Sequence, residues 1–349
     1  MSRPFHFKGT PMAKHTILDL IDRSNIVDGH KEFPFRSHLG GSMIGNNCER
    51  AIWYGFRWTL RPSHPARILR LFGRGHREEF QFVKHLRAAG IEVQEFAQRL
   101  VWEPASNTYL ATEWDDLSFD SAQWDDVTGD EAHMKMAELQ GVKLKQWRIS
   151  DVDGHFGGSL DGIAKAPFPV AACEWVGGQM QLLEEAIEIG EPFLLEFKTH
   201  NTKSFVALVT KGVKEYKPVH YMQMQVYMHK KDLNYALYMA VNKNDDDLHI
   251  EIVRRDPVIG AALIAKAARV VAAKQPPLRI GKHASWVDCQ WCDYKGPCHK
   301  NEPVDRNCRT CANVEPIEDG KWRCNHWQAV IPNLDAMLIG CDNHKTITD

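Results

Sequence analysis

The chain has 349 residues, 44% hydrophobic and 25% charged, with a formal net charge of −2 at pH 7. That is enough for one large domain or two ordinary ones of globular composition. No run approaches the ~20 apolar residues of a membrane helix, and the first sixteen residues hold no apolar block of the signal-peptide kind. The expected location is therefore cytoplasmic, where clustered cysteines read as metal ligands before disulfides.

Residues 1–35 read as an N-terminal arm with one short helix near Thr16 to Arg23. A helical pattern spans Ser42 to Trp58. A strongly amphipathic helix covers Arg67 to Ala89, with Phe72, Phe80, Val83 and Leu86 among its apolar positions. Gly90 ends it, and Ile91 to Trp102 alternates like a strand. The acidic, Trp-bearing stretch 103–146 reads as a surface insertion. Trp147 to Ala164 predicts a hairpin turning near Asp153 and Gly154, and Pro192 to Lys198 a short apolar strand ending in charge. Helices are predicted over Ser204 to Lys211, Pro218 to Lys230 and Asp256 to Lys274, with paired strands at Asn234 to Asn242 and Leu248 to Arg254. Past Pro276 the chain turns to Cys, Trp, His and Pro, the composition of small metal-held modules. The isolated Cys173 reads as a small buried hydrophobe.

The chemistry-bearing feature is Leu194-Leu195-Glu196-Phe197-Lys198. Two-residue periodicity puts Glu196 and Lys198 on one face of a strand and turns Phe197 into the core. Asp161, at the end of an upstream strand and followed by Gly162, offers a second carboxylate. Asp161, Glu196, the Phe197 carbonyl and waters suit Mg2+ or Mn2+. A lysine beside such an ion fits phosphodiester hydrolysis. The lysines at 198, 203, 211, 214 and 217 form a local basic stretch, and Arg67, Arg70, Arg74 and Arg77 stripe the amphipathic helix. Both could face phosphates.

This pattern resembles the PD-(D/E)xK nuclease superfamily in its RecB-like branch. The resemblance rests on Asp161, Glu196-x-Lys198, the early-helix motif Gly73-Arg-Gly-His76-Arg-Glu-Glu79, and His220-x-x-Gln223-x-x-x-Tyr227. Leu160 stands where that family often has proline. The resemblance implies a restriction-endonuclease-like α/β core, with a mixed central sheet flanked by helices over 36–300. It also implies His76 as a metal ligand assisted by Glu79, with Gln223 and Tyr227 bordering the active site.

Eight of the nine cysteines form two sets. Cys289-x2-Cys292-x5-Cys298 needs a fourth ligand, and Cys48 is the only cysteine upstream of Cys173. The spacing leaves zinc or iron–sulfur open. The resemblance to the branch's iron–sulfur nucleases implies a four-iron four-sulfur (4Fe-4S) cluster that pins together the two ends of the domain. Cys308, Cys311, Cys324 and Cys341 read as a structural Zn2+ module over 301–349, with His326 or His344 as substitute ligands. A hairpin turn is expected at Glu318 to Gly320.

The expected function is thus a metal-dependent deoxyribonuclease, an exonuclease at DNA ends in recombination, repair or phage DNA metabolism. There is no nucleotide-binding G-x4-GK loop, so the chain would act alone or with a separate recombinase, annealing protein or helicase. The alternatives are a catalytically silent nucleic-acid-binding scaffold and an electron-transfer iron–sulfur protein.

Overall fold

The computed structural model describes residues 16–31, 35–116, 122–176 and 179–347. Its centre is a five-stranded sheet in the order Leu248–Arg254, Tyr235–Asn242, Phe193–His200, Gly162–Lys165, Glu92–Gln94. Phe193–His200 runs parallel to Tyr235–Asn242, and the other pairings are antiparallel. Both central strands are largely buried on both faces, as strands covered on both sides are. The fold is mixed α/β, and among the described residues no helix is long and apolar enough to cross a membrane.

One face packs on the helix Ala66–Ala88, where Phe82, Val83 and Leu86 meet Leu195, Phe197 and Leu237. Gly90, at φ 83°, closes that helix by donating to the Arg87 carbonyl. The opposite face takes Thr202–Tyr216, Pro218–Lys231 and Pro257–Ala272. Gly212 kinks the first of these at φ 73°. Buried Glu251 accepts a hydrogen bond from the Val213 amide that the kink exposes (2.8 Å).

Several boundaries differ from the sequence reading. The N-terminal helix runs Ile17–Lys31, longer than expected, because it lies along Ala66–Ala88. Ser42 to Trp58 is a single helical turn, Gly41–Met43, followed by a helix at Glu49–Phe56. The Ile91–Trp102 stretch divides into Glu92–Gln94, in the central sheet, and Gln98–Glu103, in another sheet. The hairpin Arg148–Asp151 with Phe156–Ser159 turns at Val152, Asp153 and Gly154, all with positive φ. The described residues of the 103–146 stretch form a small unit of their own. Thr108–Glu113 and Asp125–Asp126 flank Gln98–Glu103, and the helix Glu131–Leu139 covers its own small core of Leu100, Tyr109 and Ala137. The Cys173 side chain lies outside the described residues.

The C-terminal segment forms a three-stranded sheet, with Asp319 and Gly320 at positive φ in its first turn, and a short helix, Leu334–Ile339. It shares one apolar cluster with the Glu49–Phe56 helix, so Val314, Trp322 and Met337 pack in the same core as Trp53, Phe56 and Trp58.

Candidate active site

Glu196 is fully buried on the central strand, and its carboxylate points away from Phe197, which stacks on Phe82 at 5.0 Å. Lys198 forms an ion pair with Glu196 Oε1 and donates to the Phe197 carbonyl (3.0 Å). The ion pair lies off hydrogen-bond direction, so Glu196 Oε1 has no hydrogen bond. Gln223 Nε2 donates to Glu196 Oε2 (3.1 Å). Asp161 Oδ2 accepts from the Phe197 amide (2.7 Å), which joins the two strand ends. Gly162, at φ 157°, allows the sharp exit after Asp161, and a Cβ there would press on the Gln94 carbonyl.

Tyr227 lies one helical turn from Gln223, hydrogen-bonds to it, and fills the space over two glycines. A Cβ at Gly41 would come within 2.7 Å of its ring, and one at Gly158 would collide with its hydroxyl. Burial first, then Glu196 and Asp161, holds the phenol neutral far above the usual range.

The charges are tuned by burial. Loss of solvent raises the Glu196 carboxyl to about 7; Lys198 opposes the shift and Asp161 adds to it. Burial works against the Lys198 cation, but the surrounding carboxylates of Glu196, Asp161 and Glu79 outweigh it and raise its pKa. Glu79 is also raised, by burial and then by Asp161. Glu79 therefore stands in the acidic group. His76 is 77% exposed and reaches only Glu79, at 3.6 Å. Among the described residues no group of three or more His, Cys, Asp or Glu is placed to hold a metal ion. The donor set nevertheless fits a cation. The Lys198 ammonium lies where Glu196 Oε1 and the Phe197 carbonyl converge, as a bound ion would.

No protein-family model matches this chain, and no curated protein does. It is similar to the crystal structure of SSO0001 at a TM-score of 0.37 and 10% identity, over 81% of this chain and 96% of that one. It is also similar to LHK-Exo in complex with dAMP (TM-score 0.36, 12% identity, 73% and 91% covered). A further structure of that alkaline exonuclease, from Laribacter hongkongensis, gives a TM-score of 0.35 at 12% identity. Likenesses this slight lend nothing to the chemistry, which rests on the residues themselves.

Of the arginine stripe, Arg70 pairs with Asp22, and Arg74 bonds Glu78 and the Lys243 carbonyl. Their charge is engaged by the fold. Two features escaped the sequence reading. The first is a groove of about 890 Å³ lined by Arg36, His38, Arg61, His64 and Phe72, with Tyr294 from the first cysteine loop at its far wall. Arg36 is close enough to Tyr227 to act on its hydroxyl. Phe72 lies seven residues before Glu79 on one helix, about 10 Å along the axis. The second is a buried chain beside Glu196. The Tyr238 hydroxyl bridges His200 Nε2 (3.1 Å) and His220 Nδ1 (3.0 Å), and His200 Nδ1 meets Ser204 Oγ (3.1 Å). One hydroxyl serves two rings here, donating to one and accepting from the other. The groove has no local motif, and of the buried chain the sequence marks only His220, at the head of the Gln223 and Tyr227 motif; Tyr238 reaches His200 from another strand.

The first cysteine set surrounds a cavity of about 270 Å³ lined by Cys48, Cys289, Cys292 and Cys298. Cys48 N-caps the Glu49–Phe56 helix, which carries it to the C-terminal loop. Cys308 and Cys311 lie on one tight turn, Cys324 on a strand and Cys341 after the last helix. Burial and the neighbouring Cys341, Cys311 and Cys324 push the Cys308 thiol up to about 11. All eight thiols are free. The thiols of each set are soft donors of the kind that bind zinc or iron, although among the described residues no three of them are placed to hold an ion. His344 instead meets Thr310 Oγ1 at 3.2 Å.

Proposed function

We propose that the chain is a metal-dependent deoxyribonuclease, an exonuclease acting at DNA ends in recombination, repair or phage DNA metabolism. The observation that carries this reading is the fully buried Glu196, ion-paired to Lys198 and flanked by Asp161 and Gln223. A carboxylate so costly to bury is retained where it does chemical work.

Asp161, Glu196 and the Phe197 carbonyl would hold Mg2+ or Mn2+, with Glu79 and a rotated His76 at the rim. When bound, such an ion supplies charge neutralisation at the phosphate and a more acidic water. Glu196 must lose the proton that burial favours before it can serve as a donor. Gln223 fixes the Glu196 carboxylate through Oε2, and the Phe197 amide fixes Asp161. Lys198, released from Glu196, stays within reach to orient the attacking water and meet charge on the phosphate oxygens. Tyr227 stays a neutral phenol and can donate to a phosphate. The groove from Arg36 to Tyr294 supplies cations and aromatic faces on which a strand can lie.

The cysteines would serve structure. Cys48, Cys289, Cys292 and Cys298 would hold the 4Fe-4S cluster, and Cys308, Cys311, Cys324 and Cys341 Zn2+. A recombinase, annealing protein or helicase would present the DNA end. The test incubates purified protein with end-labelled linear, circular and single-stranded DNA, with Mg2+, Mn2+ or EDTA. Cation-dependent release of nucleotides from linear DNA is expected. Equal behaviour of wild type and Lys198→Ala would sink the nuclease reading and leave the silent DNA-binding scaffold. Metal analysis and the visible thiolate-to-iron absorbance separate iron from zinc at Cys48.

A further inference from the structure

The insertion after the first sheet strand builds a cavity that the active site does not use. Asp130 caps the helix Glu131–Leu139, accepting from the amides of Ala132 (2.9 Å) and His133 (3.0 Å). Met134 and Ala137 on its inner face pack against Leu100. Gly141 reverses the chain at φ 83°. The return stretch passes Val142 and Leu144 before bridging Gln146 to Phe96. Between the helix and this return lies a trough of about 760 Å³. Phe96, Leu100, Met134, Val142 and Leu144 form its floor. Lys135, Lys143, Lys145 and Arg148 stand on its rim, against a single lining carboxylate, Glu138.

An apolar floor with a cationic rim selects its ligand by two properties together. A nucleic-acid duplex offers phosphates but nothing to fill the floor, and a neutral apolar molecule would waste the rim. The complement is a segment with a large apolar side chain to bury and carboxylates beside it to meet the lysines. The volume lies within the ~300–1,000 Å³ of sites that enclose a ligand of a few residues.

We infer that this trough is a docking site for an acidic peptide segment carrying an aromatic or large aliphatic residue, contributed by a partner protein. The floor takes that side chain, and Lys135, Lys143, Lys145 and Arg148 take the carboxylates. The site is independent of the nuclease chemistry and holds whether or not the chain cuts DNA. It gives the insertion a function: to bring the chain to a protein carrying such a segment.

Fluorescence anisotropy on the full chain tests this, with a labelled, C-terminally amidated peptide of six aspartates followed by Leu-Phe. Saturable micromolar binding is expected. Lys143→Glu combined with Lys145→Glu should weaken it tenfold or more, with an unchanged melting temperature, because both side chains are exposed. Replacing the peptide's Phe with Ser should weaken it at least as much. The inference is overturned if the double variant binds like wild type, or if the Ser peptide binds as well as the Phe peptide, which would leave bare charge attraction. It is equally overturned if equimolar oleate displaces the peptide, or if a thymidine oligonucleotide, not the peptide, loses affinity in the double variant.

Discussion

Two groups of buried charge in this molecule are satisfied in opposite ways. Glu196 and Lys198 pair with each other, yet one Glu196 oxygen makes no hydrogen bond. Arg57 and Arg309 are both cations, buried near each other without a carboxylate. Arg309 donates to the carbonyls of Phe56 and Ser37 and to Met337 Sδ, and its guanidinium stacks 3.9 Å from the Trp58 ring. Arg57 donates to the carbonyls of Val314 and Ala273, and the buried Trp322 ring lies within 5.2 Å of both guanidinium carbons. Burial alone pulls the Arg57 pKa down to about 10, so it stays charged. The arginines are held by backbone carbonyls and π-faces, although Arg57 Nε makes no hydrogen bond. What sets the site pair apart is its company of further carboxylates, Asp161 and Glu79. Neither burial nor an unsatisfied atom marks function by itself; a converging set of opposite charges does.

Mutations should separate the two groups. The largest effect is expected from Lys198→Ala, which should slow cleavage on the order of 10²–10³-fold, as loss of a charge-stabilising donor does. Single-turnover rates under saturating Mg2+ would show it. Glu196→Gln should slow cleavage by up to a similar factor, yet hold or raise the melting temperature, because it removes a desolvated carboxylate. A large fall in that temperature would mean that Glu196 is structural, like the arginines.

The converse is Arg309→Met. It strands the Phe56 and Ser37 carbonyls in the core and should cost about 3 kcal/mol or more in urea unfolding. A neutral outcome would remove the arginine pair as the tie between the C-terminal segment and the core.

The histidines beside Glu196 give a pH test. Burial depresses His200 to about 4 and His220 to about 3, against an unfolded value near 6.5. Both rings are neutral when folded, and protonation favours the unfolded chain. Their contribution is complete above about pH 6.5 and is lost as pH falls toward 4 for His200 and 3 for His220. Melting temperature should drop through that window, and His220→Asn should flatten the drop. The smallest effect is expected in the groove. Arg36→Ala with Arg61→Ala should weaken single-strand binding in EDTA about tenfold and reduce its salt slope by about 0.7 per lost phosphate contact, with no change in stability. An unchanged slope would remove the groove from the DNA path.

The sequence by itself determined the elements whose signals are local. The period of Ala66–Ala88, the Glu196-x-Lys198 alternation and the Asp153-Gly154 turn need only neighbours along the chain, and each is found where its residues predict. Periodicity also decided that Phe197 turns inward while Glu196 and Lys198 share the other face. The tertiary structure decided what each charge meets. Glu79 enters the acidic group because the middle of the helix Ala66–Ala88 packs against the strand that carries Glu196, and His76, three residues earlier, faces solvent. Arg70 and Arg74 read as free cations until Asp22, Glu78 and the Lys243 carbonyl came beside them. Arg57 and Arg309, 252 residues apart, have no sequence signal at all, because a buried cation is made tolerable only by carbonyls and rings that folding brings from elsewhere.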